Sequence, residues 1–93
     1  MTDADVADLQ AQIVALRLAV EGAWLSLLAP AVDPVGDARR LGAENVAAIG
    51  QLAADSVDAR AVRDAVIHHT EQLWGSIGWQ LADNAGKEPP VSA

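Results

Sequence analysis

Val6, Leu9, Ile13, Leu16, Val20, Ala23 and Leu27 follow one another at alternating intervals of three and four residues. That spacing keeps them on one side of an α-helix for about three heptads. It predicts a first helix from about Asp3 to Ala29, roughly 40 Å long at about 1.5 Å per residue. Pro30 ends it, because a residue before proline is pushed out of helical geometry. The stretch Pro30-Ala31-Val32-Asp33-Pro34 then reads as a linker that closes on a helix start. Asp33 caps free amides, and Pro34 stands where a helix needs no N–H.

A second helix is expected from about Pro34 to Ala54. Its apolar positions, Val35, Ala38, Leu41, Val46, Ile49 and Leu52, are sparse. Gly36, Gly42 and Gly50 lie within it, each weakening a helix by about 1 kcal/mol relative to Ala; they read as close helix contact or a kink, and this helix is expected to be the least regular, with Gly42 its candidate break. The spacing of these glycines fits no phosphate-binding loop. Asp55-Ser56 caps a third helix running to about Asn84, with Ala59, Val62, Val66, His69, Leu73, Ile77 and Leu81 on one stripe, widened by Ile67 and Trp74. Asn84-Ala85-Gly86 reads as its stop. The expected fold is all-α: a three-helix antiparallel bundle or hairpin, with long first and third helices and a shorter glycine-containing middle one, packing as a homodimer. Residues 1–86 form one domain, and 87–93 are expected to be a disordered tail.

Projected at about 100° per residue, the first helix shows a second apolar row of Ala7, Ala11, Val14, Leu18 and Leu25. Gln10, Arg17 and Glu21 separate the two rows, and Trp24 borders the main stripe. A helix with two apolar rows needs two coverings. The expectation is that the main stripe packs inside the chain and the second row meets a second copy. Val14, Leu18, Leu25 and Trp24 are the candidate contact residues. Arg17 and Glu21, a polar i, i+4 pair, would fix register at that contact. On the third helix Trp79 lies off the main stripe beside His68, Gln72 and Asp83. It is a further contact candidate, since Trp is enriched at binding hot spots.

Composition narrows the function. Among 93 residues there are no cysteines, which removes disulfides and thiolate metal sites, and the core of so short a chain is marginal without association. The apolar share is 52%, but Phe and Tyr are absent and Trp numbers three, so aromatic platforms for bases are few. A net charge of −7 with six basic residues argues against nucleic-acid binding. Seven of the 13 acids (Asp3, Asp5, Asp8, Asp33, Asp37, Asp55 and Asp58) stand at helix starts, where they cap amides and oppose the macrodipole. That placement needs no external target.

The start Met1-Thr2-Asp3-Ala4-Asp5 lacks the cationic onset of a secretory signal. Arg17 and Glu21 are expected to keep the first helix short of a membrane-spanning segment. A cytoplasmic location and no membrane partner follow as expectations. The reliance on Ala, Val, Asp and Arg suits a GC-rich bacterial or phage genome.

Candidate chemistry is thin. Asp64, His68 and Glu71 share a helix side, but carboxylate–histidine metal sites in bundles draw ligands from several helices, and no metal or cofactor is expected. An enzyme handling a dicarboxylate must gather cations, and Arg17, Arg39, Arg40, Arg60 and Arg63 show no such pattern. The residues therefore point to a non-enzymatic helical protein–protein interaction module: a homodimer that also engages another protein as regulator, adaptor or assembly factor. The alternatives are a phage-type inhibitor with an acidic helical surface, and a small helical enzyme or ligand-binding protein with its pocket at a dimer interface.

Overall fold

A computed structural model describes residues 1–87, with side chains to residue 84. It contains three helices, α1 (Asp3–Leu28), α2 (Pro34–Gly50) and α3 (Val57–Lys87), and no strand among the described residues. Local chemistry sets each start. The Thr2 hydroxyl accepts from Asp5 N–H at 3.1 Å, and the Thr2 N–H donates to the Asp5 carboxylate at 2.9 Å, a complete capping box. Asp33 accepts from Gly36 N–H at 3.0 Å, with Pro34 in the first turn. Ser56 Oγ accepts from Ala59 N–H at 3.0 Å.

The ends depart from the sequence reading. α2 closes at Gly50 rather than Ala54, tightening through Gln51 N–H to Ala48 O and Leu52 N–H to Ile49 O. The Leu52 carbonyl also accepts from Arg63 Nη1 of α3 at 3.4 Å, which helps to turn the chain. α3 runs through Asn84-Ala85-Gly86 to Lys87. A helix stop there requires a left-handed glycine, and no described glycine has positive φ. The tail expected from residue 87 lies, beyond Lys87, outside the described residues. α2 is continuous across Gly42, so no break occurs there. Gly42 is buried where α2 crosses α3, and an added Cβ would stand 2.9 Å from Trp74 Cβ. The glycine brings the two helices together rather than interrupting one.

α2 runs antiparallel to α3 and makes the principal packing of the molecule, fixed midway by Trp74 Nε1 donating to Asn45 Oδ1 at 3.2 Å. α1 lies along α3 in the same direction and touches α2 little. The buried core is small: Leu28, Ala38, Ile77 and Leu81, surrounded by Trp24, Leu25, Val35, Leu41, Leu73 and Trp74. It sits where the end of α1, the start of α2 and the last third of α3 meet. Trp24 and Trp74 pack tilted there, 5.1 Å between ring centres. The molecule extends 59 × 34 × 15 Å with a radius of gyration of 16.8 Å, against about 12 Å for a compact chain of this length.

The main stripe of α1 is not buried against the chain's own helices: its Ile13, Leu16 and Val20 border an open space beside α3. Val6, Leu9, Ile13, Leu16, Val20 and Leu27 are 40 to 67% exposed. What meets α3 is the row between the two apolar ones, Arg17 and Glu21 continued by Trp24 and Leu28, with Leu25 of the second row beside them. The reason lies at the C-terminal end of α1. Trp24 and Leu28 are the bulky groups within reach of Ile77, Leu81 and Trp74, and seating them brings residues 17 and 21 onto α3.

Candidate functional site

Glu21 is the one buried charged residue among those described, 8% exposed. Its carboxylate accepts from Arg17 Nε at 3.3 Å and from Gln80 Nε2 of α3 at 3.4 Å, and Gln80 also donates to Ser76 Oγ at 3.1 Å. A buried carboxylate is tolerable only when paired and hydrogen-bonded, and here Arg17 and Gln80 supply both. Within a single chain, then, Glu21, paired with Arg17 on its own helix, ties α1 to α3 through Gln80.

The other proposed contact residues divide. Val14 and Leu18 are exposed, at 56% and 61%. Trp24 and Leu25 are half-buried against the chain's own core. Trp79 projects from α3 at 69% exposure. It walls an open groove of about 540 Å³ between α2 and α3, whose floor is small (Ala38, Gly42, Gly75, Gly78) and whose rim carries Arg39 and Glu71. The sequence reading missed this groove, although the small residues on both helices were its signal.

A second groove was missed as well. Between α1 and α3, Ile13, Leu16, Val20, Val62, Val66 and Leu73 line an open space of about 650 Å³, with Arg17, His69 and Thr70 as its polar lining. Reading each helix alone, a stripe appears as a core face. Only the splay of α1 from α3 shows that both stripes line one open channel.

His68 and His69 are exposed, their rings 5.5 Å apart. Among the described residues no group of three His, Asp or Glu side chains comes together in a way that would hold a metal. Asp5 is the titratable group with a resolved shift. The Thr2 backbone N–H, and then its hydroxyl, hold the Asp5 carboxyl below its ordinary value.

One sequence expectation needs correction. Arg17 and Glu21 do not disqualify α1 as a spanning segment by length and composition: over 18 residues its mean hydropathy is 1.4, with 11% of that window buried. Comparison with protein-family models, with curated proteins and with solved structures finds no match.

Proposed function

We propose that the chain is a non-enzymatic helical protein–protein interaction module of the cytoplasm, acting as a homodimer that engages another protein as regulator, adaptor or assembly factor. One observation carries this reading: both apolar rows of α1 lie open to water. Val6, Leu9, Ile13, Leu16, Val20 and Leu27 on one row, and Val14 and Leu18 on the other, are all at least 40% exposed. Burying such a side chain fully is worth about 1.5–3 kcal/mol, so covering even three or four of them rivals the stability of a small domain. Exposed apolar surface on that scale marks an interaction site.

A membrane reading has the hydropathy of α1 in its favour. Against it, insertion would place Arg17 and Glu21 deep in the span, which is costly for charged groups. It would also strip Trp24, Leu28 and Glu21 from α3, whose exposed side carries Asp64, His68, Glu71 and Gln72 and cannot follow into lipid. Sedimentation equilibrium tests the proposal. A dimer is expected at about 100 μM, above the micromolar range of modest interfaces. A strict monomer at that concentration overturns it.

A further inference from the structure

We infer that the second copy docks in the groove between α1 and α3, through Ile13, Leu16, Val20, Val62 and Val66, and not on the Val14–Leu18 row. This rests on the homodimer reading above and names its face. Each copy carries a net charge of −7, so two copies meet most easily where neither presents a carboxylate. No carboxylate lines the α1–α3 groove, whereas Glu71 borders the α2–α3 groove, and Glu44 borders the recess at Trp24 and Trp74. On α3 the acids Asp64 and Glu71 fall on the opposite side of the helix from Val62, Val66 and Leu73, at about 100° per residue.

A whole Val, Leu or Ile side chain offers roughly 100 Å² of apolar surface. The five groove residues, which are 40 to 67% exposed, with Leu9 beside them therefore leave roughly 300 Å² of apolar side chain in water. A standard interface takes about 800 Å² from each partner, a little over half of it apolar. The strip thus provides most of that apolar share on its own.

A twofold axis over the groove sets the α1–α3 pair of one copy against the same pair of the other, giving a closed four-helix arrangement in which the contact is its own complement. Val14 and Leu18 line neither groove.

The chain has no cysteine, so single-cysteine variants report contact directly without introducing a charge. Leu16→Cys and Leu18→Cys are prepared separately, and their reaction with a maleimide is followed below and above the dimer midpoint found by sedimentation. The Leu16→Cys thiol is expected to react at least tenfold more slowly in the dimer, and the Leu18→Cys thiol at an unchanged rate. In parallel Val66→Glu is expected to weaken dimerisation at least tenfold, and Leu18→Glu to leave it intact, with circular dichroism checking that each remains helical. If Leu18→Cys is protected and Leu16→Cys is not, the face is wrong while the homodimer stands. If the wild-type chain never dimerises, both fall together.

Discussion

At position 42 a single methyl group decides whether α2 can sit on α3. Its Cβ would stand 2.9 Å from Trp74 Cβ and 3.0 Å from Cγ, atoms at the root of a side chain tied to Asn45. Gly42→Ala is therefore expected to destabilise the fold by about 1–3 kcal/mol, the usual cost of overpacking, read as a lowered denaturation midpoint. Gly75 and Gly78, also helical, meet nothing within 4 Å. There Ala is expected to stabilise by up to about 1 kcal/mol each, through helix propensity. Opposite signs for one chemical change follow from packing alone. A second residue-scale expectation concerns Asp5. Its carboxyl titrates below the ordinary range because Thr2 hydrogen-bonds the ionised form. Its stabilising contribution is then complete above the ordinary carboxylate value and is lost as pH falls through the lowered one. A proton titration of Asp5 by NMR should show the lowered value, and Thr2→Ala should move it back upward.

At the scale of elements, what the sequence made readable was punctuation. Thr2 and Asp5, Asp33 with Pro34, and Ser56 act within one turn of themselves, so three helices and their starts follow from local chemistry. The face that α1 turns inward was not readable. Its two apolar rows advertise themselves as core, yet the row meeting α3 contains Arg17 and Glu21. The decision is taken by Trp24 and Leu28 against Ile77 and Leu81, contacts about fifty residues apart in sequence, and no periodicity within one helix encodes them. The candidate contacts divide in the single chain: Val14, Leu18 and Trp79 are exposed, while Trp24 and Leu25 are half-buried against its own core. The polar tie predicts its own energetics. Arg17→Met leaves the Glu21 carboxylate buried with Gln80 alone, and should destabilise by about 1–3 kcal/mol, as for a lost charged hydrogen bond. Adding Glu21→Leu should recover most of that loss, because an apolar side chain has no charge to satisfy. A double-mutant cycle by chemical denaturation reads both, and a merely additive double mutant would mean that Arg17 and Glu21 do not depend on each other.

For the whole molecule, the consequence is a gradient of stability along its length. The buried core lies at one end, among Leu28, Ala38, Ile77 and Leu81. α1 is held to α3 through its C-terminal portion, while Val6, Leu9 and Ile13 at the other end are at least 40% exposed. Backbone hydrogen bonds open locally where few apolar contacts resist opening, and an isolated helix end frays because each added turn gains little on its own. In the monomer, amides of α2 and of α3 around Trp74 to Leu81 should therefore exchange most slowly. Those of α1 before Arg17 should exchange fast, close to unprotected rates. Dimer formation changes this in one place. A second copy over the α1–α3 groove covers Ile13, Leu16, Val62 and Val66, so protection should rise with concentration along the first half of α1 and the first half of α3. It should stay constant in α2, which that contact leaves untouched. Binding stabilises only what it closes, and by an amount that grows with the concentration of the second copy. Hydrogen–deuterium exchange at concentrations bracketing the dimer midpoint measures this segment by segment. A rise in protection spread evenly over α2 as well would mean that the two copies meet across the α2–α3 side. A concentration-independent pattern with α1 already protected would mean that α1 needs no second copy to hold it.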